Sequence, residues 1–253
     1  FEELGAEVLA TGICPTGRNI NLGCGSLHPE VVSSEVLRTG AHVGVALDGD
    51  ADRVIFSDEN GRFIDGDQIM GLIAWDMIRK GELKKKTLVA TVMSNIGLEL
   101  AMEEMGGKLV RTPVGDRYVV EKMRQEGYNF GGEQSGHLIF LDRNTSGDGI
   151  LSALQVLRVM KETGKSLSEL ASRVRKFPQF LKNVEVSCQR DLDEVPEVRK
   201  VIKECSEILK GKGRLLIRYS GTQPVCRIMA EGDNEHDVRR VVDMVSDAIA
   251  QYV

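Results

Sequence analysis

The sequence predicts an α/β protein in which two layered α/β/α domains, the first of them truncated, precede a small α+β domain with an antiparallel sheet and two helices. Two observations support this prediction. Strand-like and helix-like runs alternate through the middle of the chain, which favours parallel strands with helices on both faces. Further along, the order becomes strand, helix, two strands and helix, which favours an antiparallel sheet. The predicted domains span residues 1–65, 66–175 and 176–253.

The first predicted domain contains three short runs typical of strands, separated by connections rich in Gly and Asn. These runs are AEVLATG (6–12), HVGVALD (42–48) and RVIFSD (53–58). Only a short acidic segment separates the last two runs, so we expect a tight connection between two strands there.

In the second predicted domain, apolar residues recur in turn at helical and at strand spacing. The predicted helices are 68–80, 95–105, 116–125 and 149–163, with a short capped helix at 166–170. The predicted strands are 87–93, 108–112, 128–132 and 137–142. Residues 177–182 are interpreted as a linker. The predicted elements beyond it are strands 183–188, 214–220 and 225–232 and helices 197–210 and 235–252.

Composition excludes several classes of partner. The formal net charge is −5 with acidic and basic residues interspersed, so we expect no basic surface for nucleic acid. The sequence has neither a long apolar run nor a polybasic amphipathic segment, so we expect no membrane partner. The five cysteines lack metal-ligand spacing, which favours reduced thiols and a cytoplasmic location. Small molecules are therefore the expected partners.

The segment LDGDADR places Asp48, Asp50 and Asp52 at alternate positions between two predicted strands. Three carboxylates on one turn call for a compensating cation, and hard oxygen ligands suit magnesium or calcium better than zinc. The neighbouring Arg53 can balance charge or bind a phosphate that shares the metal. A solvated acidic turn that closes a hairpin is the alternative.

An EF-hand also begins with alternating carboxylates, and Glu59 falls at the twelfth position of such a loop. Two features exclude this reading. The sixth position, which must be glycine for the sharp turn, is Arg53 here, and predicted strands rather than helices flank the loop.

The segment GGEQSGH (131–137) lies between two predicted strands and combines turn-forming glycines with hydrogen-bonding side chains. These side chains are Glu133, Gln134, Ser135 and His137. Together they offer the donors and acceptors that suit a polyhydroxylated ligand. An ordinary loop, in which His137 has only a structural role, is the alternative.

The segment RYSGTQPVCR brackets a Ser-Gly-Thr turn with two arginines, Arg218 and Arg227. Two guanidinium groups, two hydroxyls and the N–H groups around a glycine can bind a phosphate dianion without metal. A hairpin turn with surface arginines is the alternative. A hard-metal loop, a hydroxyl-binding loop and a phosphate loop in one chain favour a magnesium-dependent enzyme of sugar phosphates.

Four segments resemble, in order and over the whole chain, the motifs of the α-D-phosphohexomutases. They are ALDGDADR, VGDRYVVEKM, GGEQSGH with TSGDGILSALQVL, and RYSGTQPVCRIMAEG. The resemblance is strongest to the branch of the family that acts on glucosamine phosphate. The segments that carry it are DGDQIM, MSNIGLEL and VGDRYV, together with Gln134. The branch that acts on mannose and glucose phosphates typically has Met at the position of Gln134. It implies an isomerisation through a phosphoserine and a bisphosphorylated intermediate, whose product feeds UDP-N-acetylglucosamine and cell-wall synthesis.

The resemblance also implies roles for individual residues. Asp48, Asp50 and Asp52 would ligate Mg²⁺, and Arg53 would lie beside the reacting phosphoryl group. The sugar would be contacted by Glu133, Gln134, Ser135 and His137. The phosphate that does not react would be held by Arg218, Ser220, Gly221, Thr222 and Arg227. Arg117 would be a further phosphate or sugar contact.

The sequence departs from the family pattern at two places. Gln223 stands where the family usually has Glu, and Tyr219 and Cys226 are unusual in the phosphate loop. Family members also carry a first domain with a serine loop, phosphorylated in the active enzyme, and no segment of this sequence matches that loop. We therefore expect a fragment that is inactive alone, with the missing domain and a hexosamine phosphate as its partners. Two alternatives are a mutase of mannose or glucose phosphates and a non-catalytic module that binds sugar phosphates.

Overall fold

The computed structural model describes residues 1–211, 213–221 and 223–253 and divides into two compact units. The first unit is Phe1–Arg175 and the second is Lys176–Val253. Helices combine with one mixed and two antiparallel sheets, which confirms the predicted α/β fold class. The division into three domains, with a boundary after residue 65, stays a prediction.

A small antiparallel sheet opens the first unit. Its strands are β1 (Gly44–Leu47), β2 (Val54–Ser57) and β3 (Phe63–Ile64), in that spatial order. Leu47 pairs with Val54, so residues 48–53 form the connection of a hairpin. Helix α1 (Pro29–Thr39) packs on β1 and β2, and its first residue is a proline, which suits a position that needs no N–H donor.

The larger sheet of the first unit is mixed. Its strands are β4 (Thr87–Thr91), β5 (Lys108–Thr112), β6 (Phe130–Gly132) and β7 (Leu138–Phe140), in the spatial order β5-β4-β6-β7. Strand β4 is parallel to β5 and β6, whereas β7 is antiparallel to β6. The carboxyl ends of the parallel strands therefore meet at one edge, where the β6–β7 connection also turns back.

Five further helices belong to this unit. They are α2 (Gly66–Lys80), α3 (Ile96–Glu104), α4 (Asp116–Glu126), α5 (Gly149–Thr163) and α6 (Leu167–Ala171). Two of them, α2 and α5, both begin at a side-chain cap and end at a glycine. The side chains of Asp65 and Asp148 accept hydrogen bonds from the first turns of α2 and α5, which fixes where these helices begin.

One hydrophobic core joins the two sheets of the first unit. Phe56 of β2, Leu72 of α2, Leu88 of β4 and Phe130 of β6 are all fully buried in it. Because strands of both sheets pack into the same close-packed core, the loops at their ends are held in fixed positions relative to one another.

The second unit is a small antiparallel sheet with two helices. Its strands are β8 (Gln179–Glu185), β9 (Gly213–Tyr219) and β10 (Val225–Gly232), in the order β8-β10-β9. Helices α7 (Pro196–Leu209) and α8 (Glu235–Tyr252) pack against each other and against the sheet. This arrangement agrees with the α+β unit expected from the order of the elements.

Two sequence-based expectations differ from the structure. Residues 6–12 form no strand, and no strand within the described ranges pairs with them, which shows that an alternating pattern alone does not make a strand. The predicted linker at 177–182 overlaps β8, whose pairing with β10 orders it from Gln179 onward. Across the described ranges, every helix is too short or too polar to cross a membrane.

Candidate active site

The three aspartates converge on the β1–β2 connection. One carboxylate oxygen from each of Asp48, Asp50 and Asp52 lies within 4.8 Å of the others. The turn that brings them together is closed by hydrogen bonds from the N–H groups of Ala51 and Arg53 to the backbone and side-chain oxygens of Asp48, at 3.2 and 3.1 Å. Ala51 has a φ of 59°, a left-handed conformation that lets the chain reverse between the carboxylates.

The electrostatics of this cluster call for a cation. Burial, and then the neighbouring carboxylate of Asp48, raise the pKa of Asp52. Arg53 Nε lies 3.6 Å from Asp48 and 3.8 Å from Asp52, which is beyond hydrogen-bond distance. Among the described residues, no donor reaches the buried Oδ1 of Asp52. An orphaned oxygen within a set of hard oxygen donors fits a divalent cation such as magnesium.

The predicted sugar-contacting loop follows β6 at the carboxyl edge of the mixed sheet. Burial raises the pKa of Glu133, whose Oε1 accepts a hydrogen bond from the N–H of Gly115 at 3.1 Å. Gln134 is half-buried and Ser135 is exposed, while the carbonyl of Gln134 accepts from the N–H of Gly66 at 3.0 Å. The loop therefore presents an acid, an amide and a hydroxyl on a backbone fixed by its neighbours.

A strand-like contact joins the aspartate loop to the sugar loop. Arg53 and His137 form an antiparallel bridge, and the N–H of Val54 donates to the carbonyl of Gly136 at 3.1 Å. The ring of His137 is buried, with Nδ1 3.0 Å from Asp52 Oδ2. The structure thus brings the predicted metal ligands and the predicted sugar contacts into one site within the first unit.

Arg117 occupies a different environment from the other predicted residues of this unit. It lies in the first turn of α4, is exposed, and its guanidinium stacks on the ring of Tyr118 at 4.8 Å. It borders a surface depression together with Glu121 and Arg124. Its assignment as a phosphate or sugar contact stays a prediction.

The predicted phosphate loop is the β9–β10 hairpin of the second unit. Arg218 and Arg227 are paired directly across the two strands. Like charges directly opposite each other destabilise a hairpin. The pKa of Arg218 is lowered mainly by burial and also by the positive charge of Arg227. Within the part of the chain that the structure describes, Nε of Arg227 is buried and has no hydrogen-bond partner. A bound dianion would satisfy both arginines.

The turn of this hairpin contains the remaining predicted phosphate contacts. Ser220 is buried and its N–H donates to the carbonyl of Val225 at 2.9 Å, whereas Gly221 is exposed. Thr222 lies outside the described residues. The amide oxygen of Gln223 lies 3.4 Å from a guanidinium nitrogen of Arg227, so a neutral acceptor stands beside that charge.

The structure adds residues to the site that motif reasoning left without a role. The N–H of Gly149, at the start of α5, donates to the carbonyl of Ala51 at 2.8 Å, and the N–H of Gly147 donates to Nε2 of His137 at 3.1 Å. A Cβ on Gly149 would lie 2.9 Å from the carbonyl oxygens of Ala51 and Arg53. The segment TSGDG (145–149) was visible in the sequence, but only the fold shows that it supports the aspartate loop.

Two family models match the chain. One describes the α/β/α domain III of phosphoglucomutase/phosphomannomutase and matches residues 65–177. The other describes the C-terminal domain of the same family and matches residues 181–248.

Curated relatives match over nearly the whole chain. A phosphoglucosamine mutase of Citrifermentans bemidjiense is 59% identical over 99% of this chain, and one of Geotalea daltonii is 56% identical over 100% of it. The chain spans about half the length of these relatives, 55% of the first and 56% of the second.

Solved structures share the fold at low sequence identity. A phosphoglucomutase/phosphomannomutase family protein of Burkholderia thailandensis has a TM-score of 0.71 at 22% identity, covering 89% of this chain and 51% of its own. Aspergillus fumigatus N-acetylphosphoglucosamine mutase, solved with GlcNAc-6P and magnesium, has a TM-score of 0.69 at 22% identity, covering 90% of this chain and 57% of its own.

Proposed function

Because the chain belongs to the phosphoglucomutase/phosphomannomutase family, we propose that it supplies the metal, sugar and phosphate loops of a phosphoglucosamine mutase. The family assignment confirms the resemblance to the α-D-phosphohexomutases that the motifs indicated. The reaction would interconvert glucosamine 6-phosphate and glucosamine 1-phosphate through a 1,6-bisphosphate. The amino sugar is favoured because relatives with 55–59% identity carry the name phosphoglucosamine mutase.

The observation that supports the site most strongly is the backbone bridge between Arg53 and His137. It holds a cluster of three carboxylates next to a loop that presents Glu133 and Ser135. A phosphorylated sugar needs both kinds of group: charge compensation at the phosphoryl oxygens, and acceptors and donors at the ring hydroxyls. The bridge lies within one unit, so this proximity follows from local pairing and a shared core.

Each residue would act through position and charge. Magnesium on Asp48, Asp50 and Asp52 would neutralise charge on the reacting phosphoryl group. Arg53, whose side chain is 45% exposed, is free to turn from its distant carboxylates toward a phosphate oxygen. Glu133 and Ser135 would hold sugar hydroxyls, and these small hydrogen-bonding groups can accept the substrate in more than one orientation.

The second unit would bind the phosphate that does not react. Arg218 and Arg227 provide two cations on neighbouring strands, and Ser220 and Gly221 provide the turn between them. The phosphoryl donor would be a phosphoserine in the part of the relatives that this chain does not span. We therefore expect the chain alone to bind sugar phosphate without turning it over.

Calorimetry with glucosamine 6-phosphate tests the binding part of this proposal. Binding is expected to be tighter with Mg²⁺ than with EDTA, and Asp48→Asn should abolish that difference because it removes a ligand charge. His236→Leu changes an exposed residue of the second unit and should match the wild type. Equal binding with and without Mg²⁺ would contradict the proposed role of the aspartates.

A coupled assay for glucosamine 1-phosphate tests the catalytic part. The chain alone should show no turnover, whereas a protein that spans the full length of the relatives should be active. Turnover by the chain alone would overturn the assignment of the phosphoryl donor.

One alternative substrate class remains, because the name of the family refers to glucose and mannose phosphates. Parallel turnover measurements on the full-length protein with the 6-phosphates of glucosamine, glucose and mannose separate these cases. Preference for an unaminated sugar would replace the amino sugar in the proposal. A non-catalytic sugar-phosphate-binding module would bind these ligands but give no turnover at full length.

A further inference from the structure

We propose that residues 186–190, which follow β8, form a strap that positions the turn of the β9–β10 hairpin, with Gln189 as the positioning residue. Through one hydrogen bond, Gln189 orients the peptide between Ser220 and Gly221 so that its N–H faces an incoming phosphate. This inference rests on the proposed function, because it takes the hairpin to be the phosphate-binding loop. It gives a role to a segment that lies outside all four family motifs.

Two contacts fix the strap beside the turn. The N–H of Val186 donates to the carbonyl of Pro224 at 3.0 Å, just before β10 begins. The hydroxyl of Tyr219, the last residue of β9, donates to the carbonyl of Arg190 at 2.8 Å. The ring of Tyr219 packs against the hydrophobic core of the second unit, so the donor of this bond has little freedom to move. The two arms of the hairpin therefore hold the strap at both of its ends.

The side chain of Gln189, between these two contacts in the chain, reaches the turn itself. Its Nε2 donates to the carbonyl of Ser220 at 3.1 Å. The N–H of Ser220 donates to the carbonyl of Val225 at 2.9 Å, which closes the hairpin. Because the backbone of Ser220 is bonded through both its N–H and its carbonyl, the peptide plane that follows it has a defined orientation.

The N–H of Gly221 belongs to the peptide whose carbonyl Gln189 holds. A peptide bond is planar and trans, so its C=O and N–H point in opposite directions. A carbonyl drawn toward the strap therefore turns this N–H away from the strap. Among the described residues, none accepts a hydrogen bond from Gly221, and a Cβ placed on it would meet no atom of them within 4 Å. The space beside this peptide is thus open to a ligand.

The strap and the predicted phosphate-binding arginines belong to different faces of the hairpin. Tyr219 is paired with the buried Cys226, whereas Arg218 is paired with Arg227, and successive residues of a strand point to opposite faces. A strap bonded to Tyr219 lies on the first of these faces. An N–H that turns away from it points toward the two guanidinium groups, and backbone N–H groups and arginines can bind one anion together.

Calorimetric titration of the chain with inorganic phosphate tests the proposal. Gln189→Met keeps the length of the side chain but removes the donor, and it should weaken phosphate binding about 3- to 10-fold, which corresponds to one hydrogen bond. Gln179→Met is the matched control. It removes an amide N–H that donates to Glu231 Oε2 at 3.0 Å, at the far end of the same sheet. The control should lower the melting temperature but bind phosphate like the wild type, and a purely structural role of Gln189 would give that same result.

The amide resonance of Gly221 provides a second readout, by nuclear magnetic resonance. Phosphate should shift this amide proton downfield in the wild type, because the N–H donates to an anion, and the shift should be smaller in Gln189→Met. Tyr219→Phe should also weaken phosphate binding by itself. It should have little further effect in the presence of Gln189→Met, because the two residues act through one strap.

Three results would overturn the proposal: wild-type phosphate affinity in Gln189→Met, the same shift of Gly221 in this variant as in the wild type, or full addition of the losses from Gln189→Met and Tyr219→Phe. Arg227→Ala separates this inference from the proposed function. If Arg227→Ala abolishes phosphate binding while Gln189→Met leaves it intact, the loop binds phosphate without the strap. If Arg227→Ala leaves phosphate binding intact, the hairpin is not the phosphate site and both proposals fail.

Discussion

Replacement of Gly136 by alanine tests whether the joint between the aspartate loop and the sugar loop positions the site. Gly136 has a φ of 91°, and a Cβ there would lie 2.1 Å from the carbonyl oxygen of Val54. The same pair of residues makes the hydrogen bond from the N–H of Val54 to the carbonyl of Gly136. Alanine must therefore either separate the two strands or adopt a backbone conformation that breaks this bond.

The expected cost combines two effects. A residue with a side chain in this region of backbone space costs about 1–3 kcal/mol, and the loss of the hydrogen bond adds about 1 kcal/mol. The free energy of unfolding of the first unit should therefore fall by about 2–4 kcal/mol, which lowers the melting temperature of a unit of this size by about 5–15 °C. Affinity for Mn²⁺ should fall too, because Asp52 loses its fixed relation to His137.

Fluorescence of the single tryptophan, Trp75, reports unfolding of the first unit without interference from the second. Gly164→Ala is the matched control: Gly164 also has a positive φ, 66°, but a Cβ there would meet no atom within 4 Å. The control should cost about 1–2 kcal/mol and leave Mn²⁺ affinity unchanged. Equal destabilisation by the two substitutions, or wild-type Mn²⁺ affinity in Gly136→Ala, would refute the reasoning.

Three further predictions concern other parts of the chain. Gln223→Glu should weaken phosphate binding about 2- to 5-fold, because the new carboxylate would partly neutralise the charge of Arg227. Titration with inorganic phosphate measures the affinity, and tighter binding by the variant would contradict the prediction. Burial raises the pKa of Glu59, but hydrogen bonds, first from Ser168, lower it from 4.5 to about 2. The stability that the ionised Glu59 contributes is present above pH 4.5 and is lost as the pH falls toward 2. Ser168→Ala should therefore lower the free energy of unfolding by at most about 3 kcal/mol at pH 6 and by little near pH 2, as measured by urea unfolding at both pH values. An equal loss at both pH values would exclude Glu59 as the cause. Large apolar side chains at 1–27, between 37% and 77% exposed, should make this chain self-associate, and light scattering that shows a monomer at high concentration would disprove this.

Much of this architecture could be predicted from periodicity and turn chemistry. The hairpin around LDGDADR followed from two apolar runs on either side of a short acidic segment, and the structure places β1 and β2 there. The fold class followed from the order of helical and strand-like patterns. The prediction of a strand at residues 6–12 used the same kind of pattern and was wrong. Alternation of apolar residues indicates which side chains share a face, but it does not indicate whether a partner strand exists.

The supporting contacts of the site were beyond sequence reasoning because they join residues far apart in the chain. The bridge from Arg53 to His137 and the N–H of Gly147 on the imidazole arise only when β2, β7 and the start of α5 are packed together. Motif reasoning could list His137 as a polar group near a ligand. It could not show that the two ring nitrogens contact Gly147 and Asp52, since these contacts depend on tertiary structure.

The two candidate binding loops share one physical principle with opposite signs. In each, a hairpin brings like charges together: carboxylates on the β1–β2 connection, and Arg218 opposite Arg227 on β9 and β10. Burial and the like-charged neighbour disfavour the charged form in both cases, raising the pKa of Asp52 and lowering that of Arg218. Each unit contains a buried polar atom that no described residue satisfies, Oδ1 of Asp52 in the first and Nε of Arg227 in the second. A protein that stabilised only its own fold would gain by replacing these groups, so their cost is best explained by ligands of opposite charge, a divalent cation for the first loop and a phosphate for the second.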